Sequence, residues 1–181
     1  MEELVTKRLA EIEDARAGFL HWVDALTDLQ GRYKPRDDAW SAQEITEHLV
    51  LAERMGVHFV WRAADASKQG EPLWAGNHDN RGLRIEEIVR RTWREREVAP
   101  DPATPTGEGS LSLWSAELRA LTGVTGALGQ RLEGENLEAI VYPHFLSGPL
   151  DADQRLQFIG FHMSRHASQA ESLLSSEGFP D

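Results

Sequence analysis

Residues 151–176 read DADQRLQFIGFHMSRHASQAESLLSS and carry the clearest helical pattern in the chain. Asp151 and Gln154 stand three residues apart at the start, which is the spacing of a capping box. Apolar side chains then recur at the spacing of one helix face: Leu156, Ile159, Met163, Ala170 and Leu173. The stretch therefore predicts a long amphipathic helix that begins after Asp151 and ends near Ser176.

Three earlier segments show the same apolar spacing and predict helices of similar length: residues 2–29, 41–69 and 114–132. Gly31 follows the first segment and Gly70 the second, as expected at helix C-termini. Ser41 and Glu44 repeat the capping-box spacing at the start of the second segment. These patterns predict an all-α fold, a four-helix bundle.

The connections constrain how the four helices are arranged. About ten residues join the first and second helices, which predicts that they are antiparallel neighbours. About forty residues separate the second and third, enough for a long crossover along the bundle, with a short helical pattern at residues 83–93. Residues 138–151, EAIVYPHFLSGPLD, contain two prolines and a glycine and predict a compact turn.

Composition excludes several classes of function. The 181 residues include no cysteine, which excludes disulfides, thiolate metal ligands and cysteine nucleophiles. The formal net charge of -11 disfavours contact with phosphate backbones. The one basic run, residues 81–96, is interrupted by glutamates and predicts a mixed-charge surface. Neither a signal peptide nor ~18 consecutive apolar residues can be found, so we expect a cytoplasmic protein that binds neither nucleic acid nor membrane.

Three of the seven histidines fall on apolar helix faces. His162 and His166 are four residues apart on the last predicted helix, so both rings can reach one point. His48 lies on the inward face of the second predicted helix. A single inward histidine is usually a hydrogen-bonded core residue. Three rings facing an apolar interior are costly to bury without partners, and a shared cation would satisfy all of them. Both interpretations remain open from spacing alone.

The other four histidines fit the pattern less well. His21 lies off the apolar stripe of its helix, which predicts solvent exposure, and His58 is expected at the edge of the second helix. His78 and His144 lie in irregular segments, where they either line the mouth of a site or face water. We favour water for both.

Some polar and aromatic side chains could also serve the site. Glu44 could act as a general base, although capping its helix is the favoured role. Gln169 could contact a ligand histidine, although a surface glutamine is the simpler interpretation. Several tryptophans could wall a substrate pocket or fill the core: Trp40, Trp61, Trp74, Trp93 and Trp114.

Two blocks of sequence resemble a known family. Residues 40–49, WSAQEITEHL, look like the second-helix signature of the DinB-like (YfiT-like) metalloenzyme superfamily. Residues 144–150, HFLSGPL, followed by residues 158–166, FIGFHMSRH, resemble its turn and its fourth-helix HxxxH motif. The order and separation of the blocks agree with the family, whereas the long middle connection has no family motif.

The resemblance implies a single DinB-like domain over residues 1–181, a bundle with an up-down-down-up course, and a homodimer. It also implies a site for one divalent transition metal ion, zinc or nickel first and iron or manganese next, with His48, His162 and His166 as ligands. The family name refers to damage-inducible expression and implies no DNA binding.

Three imidazole ligands would leave a coordination position open for water or for a thiol. We therefore expect a metal-dependent hydrolase or a low-molecular-weight-thiol S-transferase that acts on a small-molecule substrate. The alternative is a non-catalytic, metal-holding or stress-associated interaction module.

Overall fold

The structure is a computed structural model, and it describes residues 2–93 and 98–181. Within these ranges the helices are α1 (Glu2–Val23), α2 (Asp28–Gly31), α3 (Ala42–Lys68), α4 (Ile85–Thr92), α5 (Leu111–Leu132) and α6 (Ala152–Leu174). Strands β1 (Val141–His144) and β2 (Gly148–Asp151) form a small antiparallel sheet. The prediction of an all-α fold is confirmed, since the sheet is confined to one hairpin.

Local signals placed the helix starts correctly. The Ser41 side chain accepts the Glu44 N–H, and the Glu44 carboxylate accepts the Ser41 N–H, so α3 begins with the predicted capping box. Asp151 and Gln154 form the same reciprocal pair at the start of α6. The first helix is shorter than predicted and ends at Val23, because a separate capping box starts α2.

Four long helices surround the main hydrophobic core. α1 packs against α6 and α5, and α3 packs against α5 and α6. This arrangement places α1 and α3 at opposite corners of the bundle, so the prediction that they are neighbours is wrong. The physical reason is the early end of α1, which lengthens the connection to residues 24–41 and lets the chain cross the bundle end. The up-down-down-up course and the single domain over residues 1–181 stay predictions.

The segments outside the four long helices pack over the part of α6 that bears His162. The predicted compact turn between α5 and α6 is a β-hairpin, in which His144 pairs with Gly148. Gly148 has φ +72°, a conformation that favours glycine. The short predicted helix is α4, which buries Ile85 and Ile88 in a second, smaller cluster with Leu150. α4 and the hairpin therefore cover the N-terminal half of α6.

Two predictions concern the surface. The described part of the basic run, residues 81–93, pairs Arg84 with Glu86 and Arg91 with Glu87, as expected for a mixed-charge surface. Residues 94–96 of that run lie outside the described residues. Across residues 2–93 and 98–181, every helix is too short or too polar to cross a bilayer.

Candidate metal centre

The structure brings the three inward histidines together between α3 and α6. His48 Nε2 lies 3.2 Å from His162 Nε2, which in turn lies 3.1 Å from His166 Nε2. All three ring nitrogens fall within 4.8 Å of one another, and all three side chains are buried. The i, i+4 spacing on α6 sets the second of these contacts, and the packing of α3 against α6 sets the first.

Two of the rings have their tautomers fixed from outside the cluster. His48 Nδ1–H donates to the Ala103 carbonyl oxygen at 2.6 Å, and His166 Nδ1–H donates to Gln169 Oε1 at 2.9 Å. Both acceptors lack a proton, so each Nδ1 must carry the hydrogen. In the neutral rings, the lone pairs of His48 and His166 therefore lie on the Nε2 atoms that face His162.

His162 cannot satisfy both neighbours by itself. Its Nε2 atom faces two lone pairs and carries at most one hydrogen, so at least one of the two contacts has no hydrogen between its nitrogens. Protonation would not relieve this contact readily. Burial lowers the pKa of His48, lowers that of His166 to about 3, and together with the neighbouring rings holds the pKa of His162 well below its usual value.

A cation would resolve the conflict, and two of the three nitrogen–nitrogen separations are near those of metal ligands. Nitrogen ligands about 2.0–2.1 Å from a tetrahedral ion would lie about 3.3 Å from each other. The two shorter Nε2–Nε2 distances in the cluster, 3.1 and 3.2 Å, are close to this value. Three neutral imidazoles are a donor set suited to zinc and its transition-metal neighbours. The three buried histidines could therefore hold a metal ion.

Aromatic rings hold the cluster from both sides. Trp40 packs against His48 with ring centroids 4.8 Å apart, and Phe158 stacks on His162 at 5.3 Å. Trp93 contacts both Phe158 and His162, with ring centroids 5.7 and 6.4 Å away. Trp61 and Trp114 instead pack against the main core. Trp40 and Trp93 thus have the pocket role, and Trp61 and Trp114 the core role. Trp74 has neither, since its ring N–H donates to the Asn77 carbonyl at an exposed site.

A cavity of about 520 Å³ opens beside the three histidines. Trp40, Trp93 and Phe158 form apolar parts of its wall, and the polar groups include Glu53, His144 and Arg155. The volume is that of a small-molecule site. Residues from α3, the hairpin and α6 meet at this cavity, so it depends on the tertiary fold.

His144 differs from expectation. We predicted that it faces water, but the side chain is buried and lines the cavity. Its Nδ1 atom accepts the N–H groups of Leu146 and Ser147 at 3.3 and 3.2 Å, so the ring proton lies on Nε2. Burial, with a smaller contribution from Arg155, lowers the pKa of His144 to about 3. The hairpin that buries this ring had no clear strand pattern in the sequence.

The remaining histidines lie away from the cluster. His21 is exposed, as predicted, and His58, which was expected at the edge of its helix, is exposed as well. His78 is half-buried, with Nε2 3.2 Å from Gln154 Oε1, so the expectation that it faces water is wrong in part. The reason is the long connection after α3, which folds back over the start of α6.

Among the polar candidates, Glu44 has the capping role, and its carboxylate also pairs with Lys34 at 2.7 Å. Gln169 is exposed, as a surface glutamine would be, yet it accepts the His166 hydrogen bond. The favoured interpretation of Gln169 was therefore incomplete. Its position three residues after His166 was the signal that identified the alternative.

Sequence reasoning missed Glu47, which anchors the loop that reaches His48. Its Oε1 accepts the N–H and hydroxyl of Thr106 at 2.9 and 2.8 Å, and its Oε2 accepts the Gly107 N–H at 3.0 Å. These bonds hold residues 103–107 against α3, where the Ala103 carbonyl meets His48. No local pattern links Glu47 to a loop some sixty residues later.

Comparison with known proteins gives one finding. A family model described as the DinB superfamily matches residues 11–170, a range that includes all three clustered histidines. No curated protein and no solved structure gives a significant match to the chain.

Proposed function

This chain belongs to the DinB superfamily, and we propose that it is a metal-dependent enzyme for a small-molecule substrate. The resemblance seen in residues 40–49 and 158–166 is thereby confirmed. In the proposal, His48, His162 and His166 hold one divalent transition metal ion, with zinc or nickel preferred and iron or manganese as alternatives.

The proposal rests on the two contacts that His162 Nε2 makes with His48 Nε2 and His166 Nε2. Two outward hydrogen bonds leave lone pairs on His48 and His166 that face a third buried ring. An ion held by three imidazoles keeps an open position and, when bound, acts as a Lewis acid toward water or a thiol.

The protein's own residues position and shield the site. The Ala103 carbonyl and Gln169 Oε1 orient two of the rings, and Trp40 and Phe158 restrict how the rings can turn. The cavity beside the cluster has room for a substrate. This cavity favours an enzyme over a closed, metal-holding module.

Two classes of reaction are consistent with such a site, hydrolysis and S-transfer from a low-molecular-weight thiol. A panel of electrophilic substrates, assayed with and without added thiol, separates them. A hydrolase turns over substrate without thiol, whereas a transferase requires it. Stoichiometric metal without turnover in either assay would favour the non-catalytic, stress-associated module.

The ligand set is tested by elemental analysis of protein purified without added metal. We expect about one ion per chain in the wild type and a loss of most of it in His162→Ala. His58→Ala is the matched control, because His58 is exposed on α3. Equal metal content in all three proteins would refute the proposed ligands.

A further inference from the structure

One buried cation in the cavity has no role in the proposed metal site. The Arg155 side chain is 5% exposed and lines the same cavity as the three histidines. Its Nη1 atom is buried and makes no hydrogen bond to a described residue. An arginine head group in this state is costly, because a desolvated charge normally requires a paired anion.

Arg155 is packed against aromatic rings, which offset little of the cost of burying its charge. The guanidinium carbon lies 4.6 Å from the centroid of the Tyr142 ring and 5.6 Å from that of Phe158. Cation–π contact of this kind offsets only part of the cost of burial. Burial is also the main reason that the pKa of Arg155 is lowered, with the Tyr142 phenol opposing it.

One carboxylate lines the same cavity but makes no hydrogen bond or ion pair with Arg155. Glu53 Oε1 accepts hydrogen bonds from Arg16 and from the Thr125 hydroxyl, and Glu53 Oε2 is buried with no hydrogen-bond partner among the described residues. Among the described residues, no ion pair includes Arg155, which distinguishes it from Arg16. The buried positive charge of Arg155 therefore has no carboxylate partner within the described part of the chain, and the Tyr142 phenol offsets it only in part.

Arg155 also has a suitable position relative to the histidines. It precedes His162 by seven residues on α6, so the two share a helix face about 10 Å apart along the axis. Phe158 lies between them and contacts both. His144, whose proton lies on Nε2, contacts the same Phe158 ring at 4.8 Å and lines the cavity.

From this geometry we infer that Arg155, with His144 Nε2–H beside it, forms a subsite for a carboxylate group of the substrate. A guanidinium matches a carboxylate in shape, and one cation is neutralised by one monoanion. The inference rests on the proposed function in one respect: the reacting end of the substrate is placed at the histidine cluster. The substrate is then a small carboxylic acid that spans about two turns of α6.

Binding of benzoate, with benzamide as its uncharged counterpart, tests the subsite by titration calorimetry on zinc-loaded protein. We expect benzoate to bind more tightly than benzamide. Arg155→Met should weaken benzoate binding by about ten-fold or more and leave benzamide binding within about three-fold. Arg155→Lys should recover part of the difference. Arg165→Met is the control, since Arg165 also lines the cavity but is exposed, and it should have the smaller effect.

Thermal unfolding provides the second readout. A purely structural arginine would lower Tm when removed, whereas loss of an uncompensated buried charge should leave Tm unchanged or raise it. The inference is overturned if the wild type does not bind benzoate more tightly than benzamide, or if Arg155→Met binds benzoate as the wild type does.

Metal-free His162→Ala protein separates this inference from the proposed function. Benzoate binding that persists there and still depends on Arg155 supports the subsite even if the metal proposal fails. Benzoate binding that is lost in His162→Ala but retained in Arg155→Met would place the carboxylate at the histidines and overturn the subsite.

Discussion

Replacing Gln169 with leucine should weaken metal binding without unfolding the protein. Gln169 Oε1 accepts the Nδ1–H of His166 at 2.9 Å, and this bond directs the His166 lone pair toward the other two rings. Removing such a supporting acceptor typically costs a metal site about 10–100-fold in affinity, or roughly 1.4–2.7 kcal/mol. The lower half of that range is expected here, because Trp40 stacks near His166 at 6.4 Å and still restricts the ring.

The stability of the metal-free protein should change little, since Gln169 is exposed. A surface substitution of this kind is usually within about 0.5 kcal/mol. Gln169→Glu provides the opposite change, because a carboxylate is a stronger acceptor for Nδ1–H. The expected order of zinc affinity is therefore glutamate, then glutamine, then leucine.

Competition with a chromophoric chelator measures these zinc affinities, and urea denaturation of the metal-free proteins measures stability. Ser168→Ala is the control, because Ser168 is the exposed neighbour whose hydroxyl bonds within α6. Identical zinc affinity in Gln169→Leu and the wild type would refute the orienting role. An equal loss of zinc affinity in Ser168→Ala would show that zinc binding responds to any substitution on this part of α6.

Three further predictions concern the loop, the core and assembly. Glu47→Ala removes the acceptor for residues 106–107 and should lower the free energy of unfolding, measured by urea denaturation, by about 2–4 kcal/mol. Zinc affinity should also fall, because the same loop contains the Ala103 carbonyl that orients His48. Arg16→Met leaves the Glu53 carboxylate buried without its cation, so the free energy of unfolding should fall by about 3–5 kcal/mol. The double variant with Glu53→Leu should recover most of that loss, and no recovery would argue against a buried ion pair. From family resemblance we expect a homodimer, so light scattering should give twice the 20.3 kDa of one chain, and a monomer at all concentrations would contradict it.

Local sequence determined the elements that bear the histidines. The starts of α3 and α6 follow from capping boxes, and these depend only on residues three apart. The shared face of His162 and His166 follows from helical geometry in the same way. The inward face of His48 follows from its apolar neighbours on α3. These are short-range properties, so a single sequence is enough to predict them.

Tertiary structure decided what surrounds those histidines. The Ala103 carbonyl reaches His48 because Glu47 anchors a distant loop, and His144 is buried because residues 141–151 form a hairpin. The unpaired charge of Arg155 is also visible only once its neighbours are known. Each depends on packing between segments far apart in the chain, and such contacts leave no periodic signal in the sequence.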